Sequence, residues 1–72
     1  MYIITGVTVG SYELGAIGET RSKCLNALIK TYHDNFGTFT ENGFKSKSDW
    51  LDYHGINEMS CMEIRSNAGW CN

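Results

Sequence analysis

The stretch between Thr20 and Gly37 constrains the fold more than any other part of this sequence. It contains neither glycine nor proline, and its apolar side chains recur at the spacing that places them on one face of a helix. These side chains are Cys24, Leu25, Leu28, Tyr32 and Phe36. Thr20 can accept hydrogen bonds from the free amides at a helix start, and Gly37 suits the left-handed residue that ends a helix. The sequence therefore predicts an amphipathic helix over 21–36.

A β-hairpin is predicted before this helix. The run 2–9 is rich in β-branched and aromatic residues, and Gly10-Ser11 supplies a turn signal. Strict alternation along the first strand would place Ile3, Thr5, Val7 and Val9 on one face and Tyr2, Ile4 and Thr8 on the other. In the return strand, Tyr12, Leu14 and Ala16 alternate with Glu13, Gly15 and Ile17.

The segment after the long helix is predicted to form a loop and a short second helix. Residues 38–47 contain an Asn-Gly turn signal between Phe39 and Phe44, which we expect to anchor the loop. Ser48 can cap a helix of one or two turns that runs to His54, and Gly55 follows it.

A last strand over Met59–Ser66 completes the predicted order β-β-α-α-β. The fold class is α+β, with a three-stranded antiparallel sheet packed on one long and one short helix, and residues 1–72 form a single domain. Two helices can cover only one face of such a sheet. We therefore expect the opposite face and the sheet edges to be available to a partner.

Composition limits the class of protein. The hydrophobic fraction of 42% argues against disorder, and the sequence shows neither a secretion signal nor a run long enough to span a membrane. Three cysteines with no close pair indicate reduced thiols and a cytoplasmic protein, although pairing of Cys61 with Cys71 is left open.

The candidate catalytic and metal-binding residues do not form a recognisable site. Cys24 and His33 are nine positions apart, which puts them on opposite sides of a helix and about 13 Å apart along it. Cys61 or Cys71 paired with His54 stays geometrically open. The cysteine and histidine spacings match no structural zinc site, and the glycines before the long helix match no phosphate-binding motif. We therefore expect no enzyme activity, no metal and no cofactor.

Charged residues give little support for nucleic-acid binding. Lys23 and Lys30 share one predicted helix face and could contact phosphates, but the net charge is −2 and the isoelectric point is about 5.5. Asp49 and Asp52 lie on one face of the short helix, where their expected role is favourable charge near the helix start.

Aromatic and acidic side chains remain as candidates for binding another protein, because tyrosine and tryptophan anchor many interfaces and acidic groups can address a basic partner. Tyr2 is a further aromatic candidate, and Trp70 is either a core plug or an exposed contact. The partner-binding set is Tyr12, Glu13, Asp49, Trp50, Asp52, Tyr53, Glu58, Glu63 and Trp70.

The leading hypothesis is a small protein that binds a host protein or complex. The most specific form of it is a phage or mobile-element inhibitor of a host enzyme or defence complex, similar to anti-CRISPR proteins in its mode of action and located in the host cytoplasm. The alternatives are an accessory subunit that forms homodimers or larger homo-oligomers through an uncovered sheet face or edge, and a weak nucleic-acid-binding regulator.

Overall fold

The computed structural model describes residues 1–64, and within that range three strands form one antiparallel sheet in which the first strand lies between the second and the third. The predicted α+β fold with a three-stranded antiparallel sheet is confirmed. Trp70 and Cys71 lie outside the described residues. The elements are β1 (Tyr2–Val9), β2 (Tyr12–Gly18), α1 (Arg21–Phe36), a 3₁₀ turn (Thr40–Asn42), α2 (Lys47–His54), a second 3₁₀ turn (Glu58–Ser60) and β3 (Met62–Glu63).

The hairpin of β1 and β2 closes through a two-residue turn. Val9 pairs with Tyr12, and Gly10 between them has a φ of 60°, whereas Ser11 has a negative φ. This is the pattern of a type II′ turn, which takes glycine at its first central position and matches the twist of the flanking strands. The predicted hairpin is confirmed.

A β-bulge interrupts β1, and it makes the predicted alternation along this strand wrong. Ile4 pairs with Ala16 and Val7 pairs with Leu14, so β1 has two residues where β2 has only one. Gly6, one of these two residues, has a φ of 73°. The extra residue moves the side chains beyond it to the other face. Ile4 and Val7 therefore both point into the core, although residues three positions apart lie on opposite faces of a regular strand.

Helix α1 has the predicted bounds and the predicted buried face. The hydroxyl of Thr20 accepts a hydrogen bond from the backbone N–H of Lys23 at 3.1 Å, which satisfies one of the free amides at the helix start. The helix ends at Phe36, and Gly37 follows with a φ of 93°. Its buried residues are Cys24, Leu25, Leu28 and Tyr32.

The loop after α1 is anchored by aromatic side chains, as predicted. The ring of Phe39 lies 5.7 Å from that of Tyr32 and 4.5 Å from that of His33, measured between centroids. Glu41 accepts hydrogen bonds from the N–H and the hydroxyl of Thr38, at 2.9 and 3.0 Å. These bonds favour the ionised form, so they lower the pKa of Glu41.

The second helix starts earlier than the sequence predicted. Ser46 caps α2 by accepting a hydrogen bond from the N–H of Asp49 at 3.4 Å, so the prediction that Ser48 is the cap is wrong. Ser48 lies within the first turn instead. The carboxylate of Asp49 accepts from the N–H of Lys45 at 2.9 Å and reinforces the helix start. Gly55 ends the helix with a φ of 66°, in the left-handed region.

The last strand is much shorter than predicted. The first part of the predicted strand is a 3₁₀ turn, which Asn57 initiates by accepting from the N–H of Met59 at 2.8 Å. Ser60 completes this capping box by accepting from the N–H of Asn57 at 3.0 Å, which holds the backbone out of an extended conformation. Pairing with β1 is limited to Met62–Glu63, and residues 65 and 66 of the predicted strand lie outside the described range.

The core lies between one face of the sheet and α1, with α2 contributing one fully buried side chain. Trp50 of α2 is fully buried, and its ring centroid lies 4.8 Å from that of Tyr32. The buried hydrophobic residues are Ile4, Val7, Leu14, Cys24, Leu25, Leu28, Tyr32, Trp50 and Cys61. The opposite face of the sheet is thus free of any helix among residues 1–64.

Candidate interaction surface

Three apolar side chains form a row across the face of the sheet that points away from the core. Ile3 of β1 pairs with Ile17 of β2 on one side and with Met62 of β3 on the other. Directly paired residues point to the same face of a sheet, so these side chains lie next to one another. The exposed fraction is 54% for Ile17 and 65% for Met62, while Ile3 between them is half-buried. We call these three residues the apolar row.

Polar and small residues extend the outer face from the apolar row towards the hairpin turn. Thr8 pairs with Glu13 near the turn end of the hairpin, and both side chains are exposed. Thr5 and Gly15, at the level of the bulge, are exposed as well. An apolar centre with a polar border is the usual anatomy of a protein-binding patch.

Two of the predicted aromatic contacts lie on the surface. Tyr12 is 65% exposed at the start of β2, with its ring edge-on to Phe36 at 5.7 Å. Tyr53 is 75% exposed on α2, with its ring edge-on to Phe44 at 5.3 Å. Tyr2 is half-buried instead.

The prediction that Trp50 contacts a partner is wrong for this structure, because its side chain is fully buried in the core. A surface contact needs an exposed ring. The spacing of aromatic residues in α2 does not indicate which face of the helix is buried. That depends on how α2 packs against α1. The indole N–H of Trp50 also lacks a hydrogen-bond partner among residues 1–64. A buried donor without a partner usually destabilises a core.

The five acidic candidates are all exposed, but they lie on four different elements. Only Asp49 and Asp52 share one, the short helix α2. Glu13 lies on the outer face of the sheet, whereas Glu63 pairs with Tyr2 and therefore points to the opposite face. The structure thus divides the predicted acidic set instead of gathering it into one patch. The remaining member, Glu58, starts the second 3₁₀ turn.

The apolar row itself was not among the residues predicted to bind a partner. A regular hairpin counted back from the Gly10-Ser11 turn would pair Ile3 with Gly18, and the row would not exist. The bulge shifts this register by one residue, which brings Ile17 opposite Ile3. Gly6 within a β-branched run was the only signal of a bulge in the sequence.

Cysteine chemistry gains no support from the described residues. Cys24 and Cys61 are fully buried, and each thiol donates a weak hydrogen bond to a backbone carbonyl, at 3.5 Å and 3.7 Å respectively. Burial and the neighbouring Cys24 thiol raise the pKa of Cys61 to about 11. A nucleophilic cysteine needs a lowered pKa, so Cys61 is unsuited to act with His54. The alternative partner for His54, Cys71, lies outside the described residues.

A groove of about 360 Å³ lies between β1 and α2. The ring of His54 lies 4.6 Å from that of Trp50, and burial lowers the pKa of His54. The lining provides this one imidazole and no carboxylate, so it holds no pair of groups for acid-base catalysis. Within residues 1–64, no three His, Cys, Asp or Glu side chains are grouped to hold a metal ion. The lining residues are Ile4, Thr5, Gly6, Val7, Thr8, Tyr53, His54, Ile56 and Ser60.

The two lysines of α1 each have an acidic neighbour one helical turn away. Lys30 forms a 2.8 Å ion pair with Asp34, which raises the pKa of the lysine through its hydrogen bond and its charge. Lys23 lies 4.0 Å from Glu19. Both pairs are exposed and contribute little to stability, but they reduce the local positive charge available to a phosphate backbone.

The sequence matches no protein-family model, and neither curated proteins nor solved structures include a significant match to it. Among the helices that the structure describes, none is long and apolar enough to cross a membrane.

Proposed function

We propose that this chain is a small, non-enzymatic protein-binding domain whose contact surface is the outer face of its sheet. The observation that carries the proposal is the apolar row, which aligns Ile17, Ile3 and Met62 across all three strands on a face that no other element in residues 1–64 covers. A domain of 72 residues buries only about 60% of the surface of its unfolded chain, so it needs its large apolar side chains inside. Leaving two of these three side chains more than half exposed favours a second use for them.

The energetic argument favours a protein partner over a small molecule. Burial of apolar surface contributes about 25 cal/mol per Å² removed from water, and a strand surface presents this area as a flat patch, not a cavity. Met62 adds a flexible, polarisable side chain that adapts to the shape of a partner. Thr8 and Glu13 supply a polar border that can fix orientation.

We further propose that the partner is a host enzyme or defence complex and that the domain inhibits it by covering a functional surface, as a phage or mobile-element product of the anti-CRISPR kind would. Small size and the net charge of −2 support this narrower proposal. The exposed carboxylates of Asp49 and Asp52 on α2 could add attraction to a basic nucleic-acid channel, and Glu58 could do so from the second 3₁₀ turn. A gene neighbourhood of phage or mobile-element genes would support it, and a housekeeping operon would oppose it.

The binding experiment compares charge-introducing substitutions on and off the outer face. A tagged wild-type domain is used to isolate a partner, which is then identified, purified and titrated with each variant by calorimetry. Met62→Lys places a charge in the apolar row and should weaken binding at least about tenfold, or about 1.4 kcal/mol. Met59→Lys is the matched control, because Met59 is 71% exposed on the second 3₁₀ turn and not on a strand.

The two variants separate the possible outcomes. Loss of binding with Met62→Lys alone supports the outer face as the contact surface. Equal binding by wild type, Met62→Lys and Met59→Lys would exclude the outer face, and failure of any purified protein to bind would overturn the proposed function itself. Circular dichroism of each variant establishes that the fold is retained.

A further inference from the structure

The outer edge of β2 exposes unpaired backbone groups in a defined pattern. Val9 and Tyr12 flank the two-residue turn, so they form a hydrogen-bonded pair. The direction of the backbone groups alternates along a strand, so the N–H and C=O groups of Leu14 and Ala16 also point towards β1. The hydrogen bond from the N–H of Ile64 to the C=O of Met1 leads to the same alternation when it is counted from the other end of the sheet. The residues whose N–H and C=O point away from β1 are therefore Glu13, Gly15 and Ile17.

This edge lacks the features with which proteins normally protect a strand from pairing. Over Tyr12–Gly18 there is no lysine, no proline and no bulge, and the only charged side chain is Glu13. The other side of β1 is different. On that side, β3 pairs with Tyr2 and Ile3, and the bulge at Gly6 interrupts the rest of the strand edge.

We propose that β2 pairs antiparallel with β2 of a second copy of this chain, joining two three-stranded sheets into one continuous sheet. The edge is self-complementary when Gly15 lies on the two-fold axis. In that register Glu13 of one copy faces Ile17 of the other, so no like charges are opposed, and all three outward residues of each copy are paired. Gly15 is exposed and places no side chain on the axis.

Neighbouring registers are less favourable. The next register towards the turn would set Glu13 opposite Gly15 and would leave Ile17 opposite Ser11, which lies in the turn and not in β2. The next register in the other direction would set Glu13 opposite Glu19, which opposes like charges and lies beyond the end of β2. The register centred on Gly15 is therefore the one that uses the full length of β2 without opposing like charges. This pairing is independent of what the apolar row binds.

The test combines molecular mass with hydrogen exchange of individual amides. Sedimentation equilibrium of the wild type should show the mean mass rising from 8.1 kDa towards twice that value with concentration. The amides of Glu13, Gly15 and Ile17 should exchange more slowly as the mass rises, because only pairing with a second copy gives them acceptors. A monomeric mass at all concentrations would overturn the proposal, and so would a dimer in which these three amides stay unprotected.

Variants then assign the interface. Ile17→Glu places a carboxylate opposite Glu13 of the second copy and should keep the chain at 8.1 kDa, while Met62→Lys, on β3, should dimerise like the wild type. Glu13→Pro is a second test that removes one outward N–H without removing a bond to β1. A dimer that survives both edge variants would exclude this interface. Partner binding lost in Met62→Lys with dimerisation retained would show that the two surfaces act separately.

Discussion

Gly18, the last residue of β2, packs directly against the backbone of Cys24 in the first turn of α1. A Cβ atom built on Gly18 would overlap the backbone nitrogen and the Cα atom of Cys24. The neighbouring atoms belong to the main chain and cannot rotate away. This contact lets α1 follow the hairpin after only two intervening residues and fixes how the helix begins over the sheet.

We predict that Gly18→Ala is strongly destabilising for this reason. The added methyl group must displace either β2 or the first turn of α1, and overpacking against backbone costs about 3 kcal/mol or more at the upper end of such effects. Urea unfolding measures the change. Glu19→Ala is the control, because Glu19 is exposed and its ion pair with Lys23 contributes little. Equal stability of the two variants would contradict the close packing of Gly18.

The elements that local chemistry specifies could be predicted from the sequence. The hairpin turn needs glycine at one position, and Gly10 supplies it. Helix α1 has its cap at Thr20, its stop at Gly37 and a continuous apolar stripe between them. Each of these signals lies within a few residues of the structure that it determines, so no knowledge of the tertiary fold was needed.

The features that depend on pairing between distant residues could not be predicted. The apolar row exists because the bulge at Gly6 changes the register with β2, and because β3 returns to pair with Ile3. Neither event leaves a periodic pattern in the sequence. Trp50 is similar, since its burial depends on where α2 docks against Tyr32. The candidate site was therefore predicted only as an uncovered sheet face, without its residues.

The start of α2 offers a direct test of the cap. We predict that Ser46→Ala lowers the free energy of unfolding by about 1 kcal/mol, because the hydroxyl that accepts from the N–H of Asp49 is lost. Ser48→Ala is the matched control. Ser48 is exposed inside the first turn, where alanine is the better helix former, so this change should be neutral or slightly stabilising. Thermal or urea unfolding compares them, and a larger loss from Ser48→Ala would contradict the assignment.

The buried thiol of Cys61 predicts a loss of stability in alkaline solution. Its pKa rises from 9.0 to about 11 on folding, so between these values the unfolded chain releases a proton that the folded chain retains. The protonated Cys61 thiol contributes to the free energy of unfolding below pH 9. This contribution is lost as the pH rises towards 11, by on the order of 1.4 kcal/mol for each pH unit. Cys61→Ala lacks this titration.

Urea unfolding at several alkaline pH values measures the effect. The wild type should lose stability more steeply than Cys61→Ala, while tyrosine and lysine titrations affect both chains alike. Parallel pH profiles for the two proteins would contradict the raised pKa of Cys61. Native-state alkylation provides a second measurement, because a buried protonated thiol should react with iodoacetamide only when the domain unfolds.

The bulge in β1 predicts an unusual tolerance to deletion. Without Gly6, Thr5 is the single residue between Ile4 and Val7 of β1, and it faces Gly15, the single residue between their partners on β2. Ile4 and Val7 therefore keep their present faces and partners. We expect the free energy of unfolding to change by about 1 kcal/mol or less, since a glycine with a positive φ is lost and a regular ladder is gained. Deleting Thr8 is the control, because that change moves Val9 to the outer face and breaks the register with the turn.

Deletion of Gly6 should also increase self-association of the domain in solution. Bulges protect strand edges from pairing with other strands. On the side of β1 that faces away from β2, β3 pairs only with Tyr2 and Ile3, so the edge beyond Ile3 has no strand partner among residues 1–64. A version of β1 without Gly6 would present a flatter edge beside the groove. We therefore expect this variant to fold with near-native stability but to scatter more light than the wild type as concentration rises. Unfolding on deletion of Gly6, to the extent seen with deletion of Thr8, would contradict the register described for β1 and β2.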